Sequence, residues 1–207
     1  VKRLLGLNQL PDPSTVSRAL SSIDGMSIER VRELCRKLVI ERLKKIAIYR
    51  LTLDFDGSVL ATLSRTTEGM AVGYNRKKKG ARSYYPLFCT LAQTGQVFDV
   101  YHRPGNVHDS HGAREFILAC IQILKQELPW LKIEVRMDSA FFSDAIVSAL
   151  DGMGIEFTLS VPFERFVELK KRIQDRARWR SMDETWSFFE VAWKPKKWKK
   201  VYRFLFI

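Results

Sequence analysis

The sequence predicts an α/β domain built on a mixed β-sheet, and three observations predict it. Two apolar runs, Leu51 to Phe55 and Ile133 to Met137, each lead into an aspartate, Asp56 and Asp138. Strand-like segments between residues 46 and 102 give way to alternating helical and strand-like segments between 114 and 161. Antiparallel strands therefore come first, and parallel strands joined by crossovers follow. The 207 residues are 46% hydrophobic and 28% charged, enough for one sizeable core and a small appendage.

Each element has its own signal. Pro11-Asp12-Pro13-Ser14-Thr15 is a turn with helix-capping chemistry, opening a short helix from about Thr15 to Leu20. Ser27 is expected to cap a longer helix, with Val31, Leu34, Leu38 and Leu43 near helical spacing. The two helices read either as a helix-turn-helix or, more simply, as a pair packed on the main domain. Ile46 to Phe55 is rich in β-forming residues and reads as a buried strand. Asp56-Gly57 is a hairpin-turn signal that returns the chain as Val59 to Thr66. Tyr84 to Ala92 turns at Thr94-Gly95 into Gln96 to His102. A helix over Arg114 to Leu128, a strand over Leu131 to Met137 and a helix over Ser143 to Leu150 follow. Gly154 precedes the strand Ile155 to Val161. Beyond Pro162, a charged helix (Glu164 to Arg180) leads to two strands, Trp186 to Trp193 and Lys199 to Phe206, joined by Lys194-Pro195-Lys196-Lys197. The domain reading is residues 1–45 helical, 46–162 the α/β core, and 163–207 a charged helix with paired strands. This order matches the RNase H-like fold, whose first and fourth core strands lie side by side. Asp54 or Asp56 is then expected near Asp138.

Charge points to a polyanionic partner. The formal net charge is +12, which suits nucleic-acid phosphates. Cys35, Cys89 and Cys120 are odd in number and far apart, so neither a disulfide framework nor a zinc site is supported. A reducing, cytoplasmic setting is the expectation. No apolar run approaches the roughly 20 residues of a membrane span, so no membrane partner is expected. The start, Val1-Lys2-Arg3-Leu4-Leu5-Gly6, is a poor signal peptide, and the last seven residues stop inside a strand-like run. The chain is therefore expected to be a fragment.

Asp54 and Asp56 alternate with Phe55 and so share one strand face. Burying an unpaired carboxylate is costly, so two acids on one face point to a purpose. Carboxylates at strand ends can hold hard cations against phosphates. Tyr74 to Pro86 interleaves Arg76, Lys77, Lys78, Lys79 and Arg82 with tyrosines, a backbone-contacting strip for DNA. Lys196 and Lys197, between Trp193 and Trp198, form a second strip. In the loop His102 to Ser110, Arg103 is expected to pair with a phosphate or an acid, and Asn106 or Ser110 to cap the next helix. His108 and His111 lack a further strong ligand. No Gly-rich phosphate loop, HExxH or GxSxG occurs, so nucleotide hydrolysis, zinc proteolysis and serine hydrolysis are unsupported.

Taken in order, Leu53-Asp54-Phe55-Asp56-Gly57-Ser58, Tyr85-Pro86-Leu87, Arg103-Pro104-Gly105-Asn106-Val107-His108 and Arg136-Met137-Asp138-Ser139-Ala140-Phe141 resemble the DDE transposases of bacterial insertion sequences. The resemblance spans roughly Thr15 to Val161. Ser58 stands where that family more often has Thr, and Ala140 where Gly is commoner. The resemblance implies an RNase H-like catalytic core that uses Mg²⁺ or Mn²⁺ to cut and rejoin DNA at element ends. It implies Asp56 and Asp138 as metal-binding catalytic carboxylates, with Asp54 secondary. It also implies a homodimer in the intact enzyme and a place in the bacterial cytoplasm with the nucleoid; Arg103 and Asn106 of the polar loop are further expected DNA contacts. The family's third carboxylate is a glutamate in a Tyr-x-x-Arg-x-x-x-Glu pattern after a β-rich insertion. That pattern has no match: three positions after Tyr202 stands Leu205. The strands from Trp186 onward resemble the start of the insertion. Glu164 and Glu168 could serve only in a chain without one. The alternative expectation is a non-catalytic DNA-binding remnant or regulator.

Overall fold

The computed structural model describes residues 8–61, 63, 66–73, 79–108 and 110–207. They fall into two compact units, divided in sequence between Ala47 and Ile48.

The first unit holds α1 (Pro13–Ser21) and α2 (Gly25–Lys44). Both are capped by aspartate: Asp12 accepts the Ser14 N–H at 2.8 Å, and Asp24 accepts the Ser27 N–H at 2.7 Å. Ser27 is thus the recipient of a cap and not the cap itself, because the helix already begins at Gly25. The expected apolar stripe splits. Val31, Leu34 and Leu38 are exposed, while Leu43 is buried with Val39 and Ile40.

The second unit is organised by a five-stranded sheet. Its strands are β1 (Arg50–Gly57), β5 (Leu87–Leu91), β6 (Gln96–Tyr101), β7 (Lys132–Met137) and β8 (Glu156–Leu159). The order is β6-β5-β1-β7-β8. β1 runs antiparallel to β5 and parallel to β7, and β8 runs parallel to β7. Three antiparallel strands followed by two parallel ones, with the first and fourth adjacent, is the RNase H-like arrangement. The β5–β6 hairpin turns at Gly95, where φ of +65° suits glycine.

Helices α3 (Ala113–Glu127) and α4 (Asp144–Gly152) flank the sheet. Strand alternation sorts the side chains. Leu51, Leu53, Phe55, Ile133, Val135 and Met137 are buried, as are Phe116, Ile117, Ile121 and Leu124 of α3. The rings of Phe55 and Phe116 meet edge to face at 5.9 Å. The other face of β1, β7 and β8 carries Thr52, Asp54, Glu134, Arg136, Glu156 and Thr158.

The expected hairpin at Asp56-Gly57 is corrected. β1 continues through both residues, which pair with Phe88 and Leu87. Gly57 is not at positive φ. It is required because a Cβ there would stand 2.6 Å from the Tyr85 ring. The segment after β1 forms a separate small sheet, in order β2 (Leu60–Ala61), β4 (Arg82–Tyr84) and β3 (Ala71–Val72).

The C-terminal part comprises α5 (Val167–Gln174), β9 (Arg180–Ser181), β10 (Ser187–Trp193) and β11 (Tyr202–Phe206). α5 is shorter than the charged helix expected. Leu169, Phe189, Trp193, Phe204 and Phe206 build a second core, with Phe142 and Phe166 packed on it. Phe142 stacks on Trp198 at 4.7 Å, so the residues just after Asp138 are anchored there.

Candidate functional site

The polar face of the central strands is a ladder of cross-strand pairs. Arg50 forms ion pairs with Glu134 and, at 2.7 Å, with Glu156; Lys132 also pairs with Glu156. The Thr52 hydroxyl donates to Glu134 at 2.6 Å and receives the Gln93 amide N–H at 3.1 Å. Hydrogen bonding by Thr52, then by Arg50, holds Glu134 below the usual carboxylate range. Lys132, then Arg50, does the same for Glu156.

One rung further, Asp54 lies opposite Arg136 in the parallel register. The guanidinium grips the carboxylate with two bonds, Nε to Oδ1 and Nη2 to Oδ2, each 2.7 Å. Asp54 raises the Arg136 pKa above its ordinary value, by hydrogen bonding first and charge second.

The last pair of this register is Phe55 with Met137, and the next residues along the two strands are Asp56 and Asp138. The Ser160 N–H still donates to the Met137 carbonyl at 3.2 Å, and Asp138 keeps extended dihedrals, φ −85° and ψ −179°. The strand geometry therefore persists to this rung. Neighbouring strands lie about 4.8 Å apart, and alternation puts both carboxylates on the Asp54/Arg136 face. Both residues are exposed. Asp56 accepts the Gly57 N–H at 2.8 Å, and Asp138 accepts the Ala140 N–H at 2.9 Å, opening the 3₁₀ turn Ser139–Phe141. Thr52–Glu134 and Asp54–Arg136 pair donor with acceptor, while like charges stand opposite each other at Arg50–Lys132 and Glu134–Glu156, each bridged by a residue of opposite sign. Asp56 and Asp138 are the two carboxylates of the next rung, where a cation can sit.

The donor set fits a hard divalent ion, for which two carboxylates plus substrate phosphate oxygens are a normal complement. Among the described residues no group of three acidic, histidine or cysteine side chains is placed to hold a metal. Glu164 is exposed and pairs with Lys170, and Glu168 is exposed in the first turn of α5.

Behind Asp56 stands a scaffold made from the other motifs. The Tyr85 ring covers Gly57, and the Arg103 guanidinium lies 5.2 Å from the centre of that ring. Arg103 is only 2% exposed. Its guanidinium donates to the carbonyls of Tyr85 at 3.0 Å, His108 at 3.2 Å and His111 at 2.8 Å. Of the phosphate or acid expected for Arg103, the 2% exposure leaves no room for a phosphate: the side chain points inward and holds the loop after β6. Gly105 is pressed on β4, its N–H donating to the Ser83 carbonyl at 2.8 Å. A Cβ on Gly73 would collide with the Gly105 carbonyl, so the two glycines permit the backbones to touch. Neither Asn106 nor Ser110 caps α3. Its N-cap is Gly112, at φ +66°, where a Cβ would stand 2.6 Å from the Tyr101 ring.

The other expected DNA contacts are distributed around the second unit. Lys79, Arg82, Asn106, Lys196 and Lys197 are exposed. Arg82 also donates to the Met70 carbonyl at 3.1 Å. Arg76, Lys77 and Lys78 lie outside the described residues. Arg136 and Tyr85 stand in the sequence motifs, which by themselves give neither residue a role. The Arg136 pairing could be found only once the β1–β7 register was known. Among the described residues no helix is long and apolar enough to cross a membrane.

Comparison with solved structures finds transposases. The chain is 12% identical to the protein in a Mos1 transposase paired-end complex with left transposon end, covering 84% of this chain and 60% of that one at a TM-score of 0.39. It is 11% identical to the catalytic domain of Mos1 mariner transposase, covering 75% of each at a TM-score of 0.35. It is 17% identical to the piggyBac transposase in a synaptic complex with hairpin DNA, covering 73% of this chain and 32% of that one at 0.42. No curated protein matches the chain. A family model described as transposase DDE domain group 1 matches residues 2–206, and the chain belongs to that family of transposases.

Proposed function

We propose that Asp56 and Asp138 hold Mg²⁺ or Mn²⁺ for metal-dependent cleavage and transfer of DNA strands at the ends of an insertion sequence. The observation that supports this reading is the parallel register of β1 and β7, in which Phe55 pairs with Met137 and the next residues are Asp56 and Asp138. When bound, the divalent ions stabilise the attacking and leaving oxygens of an in-line displacement. The chain's part is positional. Parallel pairing brings Asp56 and Asp138 to one edge, the Gly57 and Ala140 N–H groups orient their carboxylates, and Tyr85 fixes the end of β1 from behind. Lys79, Arg82, Asn106, Lys196 and Lys197, with Arg76, Lys77 and Lys78, contact the backbone of element ends and target DNA. The working enzyme is a homodimer in the bacterial nucleoid.

A second reading, a non-catalytic DNA-binding remnant or regulator, is favoured by one observation: no third metal-binding side chain joins the two aspartates among the described residues. Plasmid nicking separates the two. The catalytic reading expects nicking that requires Mg²⁺ and disappears in Asp56→Ala and Asp138→Ala. Steeply salt-dependent DNA binding with no nicking supports the binder. Nicking retained in either variant overturns the assignment of that aspartate.

A further inference from the structure

We propose that the first unit pairs with a second copy of the chain, through the apolar stripe Val31, Leu34 and Leu38 of α2 laid antiparallel against itself. The inference deepens the homodimer reading above by naming its surface.

The first unit leaves most of its apolar side chains open. Val16, Leu20 and Ile23 follow helical spacing along one side of α1 and just past its end, and no residue of α1 is buried. On α2, Val31, Leu34 and Leu38 keep the three-four spacing of a coiled-coil seam. These six side chains are between 41% and 63% exposed. The buried Val39, Ile40 and Leu43 project from nearly the opposite side of α2, so the seam is not the rim of that core. The six leave on the order of 500 Å² of apolar area. A standard interface takes roughly 800 Å² from each partner, about 65% of it apolar between identical chains, so the area matches. The ends of the seam select the orientation. The same spacing reaches the N-cap Asp24 at one end and the C-cap Lys45 at the other. Antiparallel copies crossing at Leu34 set Val31 against the second copy's Leu38, and Asp24 against its Lys45. Parallel copies would set like charges together at both ends. A twofold interface is self-complementary in this way. Cys35, beside Leu34, is exposed and falls close to the twofold axis.

The test is sedimentation velocity on the 207-residue chain, in chelator and free of DNA. The seam predicts a dimer at about 10 μM chain. Leu34→Glu puts two carboxylates at the centre of the interface and should weaken self-association at least about a hundredfold. Leu205→Glu, at an exposed apolar position of β11, is the control and should leave the dimer unchanged. Both variants are checked for folding by circular dichroism. A dimer that survives Leu34→Glu, or one that dissociates with Leu205→Glu instead, overturns the surface and leaves the homodimer reading standing. A native chain that stays monomeric overturns both. Crosslinking needs no variant of the seam: a short bismaleimide should join two native chains through Cys35, since Cys89 and Cys120 are buried, and Cys35→Ser should abolish the product. A native dimer that the reagent does not join overturns the antiparallel crossing at Leu34.

Discussion

Replacing Arg103 with methionine removes a guanidinium and keeps most of the aliphatic stem. The lost group donates to three main-chain carbonyls, at 3.0, 3.2 and 2.8 Å, and stacks on Tyr85 at 5.2 Å. Hydrogen bonds to charged groups contribute about 1.5–3 kcal/mol each, and a cation–π contact about 0.5–2 kcal/mol. The three bonds share one donor group, and the His108 and His111 carbonyls belong to exposed or half-buried residues, so these values do not sum in full. The expected loss is about 3–5 kcal/mol. At about 2–4 °C of Tm per kcal/mol for a chain of this size, Tm should fall by roughly 10 °C. Thermal and urea unfolding by circular dichroism measure it. DNA titrations across a salt series, run on the same protein below its melting range, supply the counter-test. A phosphate contact contributes about 0.9 to the slope of log K against log salt. The buried role leaves that slope unchanged. A variant with native stability and a slope reduced by about one would refute the inward-facing assignment.

Two further perturbations follow from the same scaffold. Gly57→Ala drives a Cβ to 2.6 Å from the Tyr85 ring and should cost about 1–3 kcal/mol in urea unfolding; a neutral result would mean that the ring does not brace the end of β1. Glu134 has a folded pKa lowered by Thr52 and Arg50, so its contribution is present above the unfolded value of about 4.3 and is lost as pH falls through the folded one. The Tm gap between the native chain and Glu134→Gln should therefore close below about pH 4.3, and a gap that widens there would contradict the pairing.

Much of the sheet was legible because its signals are local. Leu51, Leu53 and Phe55 alternate with Thr52, Asp54 and Asp56, and that period alone sorts core from site. The helix expected over Arg114 to Leu128 differs from α3 by one residue at each end. What was not legible depends on contacts distant in sequence. Asp56-Gly57 has turn composition, yet its glycine answers to Tyr85. Arg103 reads as a surface cation in a polar loop, and only folding assembles the carbonyls of Tyr85, His108 and His111 around it. Asp54 and Arg136 are 82 positions apart, and their pairing follows from register, which no local pattern states. Capping by Gly112 was hidden for the same reason, since it is the Tyr101 ring that excludes a side chain there.

The most direct measurement of the central claim is the melting temperature of the native chain and of Asp138→Asn, with chelator and then with Mg²⁺ or Mn²⁺. Asparagine keeps the cap on Ala140 and removes one of the two like charges. The account predicts that metal raises the native Tm, by the equivalent of about 2.7 kcal/mol at a hundredfold excess over Kd, and leaves the variant unmoved. A native Tm indifferent to metal would contradict a cation site at Asp56 and Asp138.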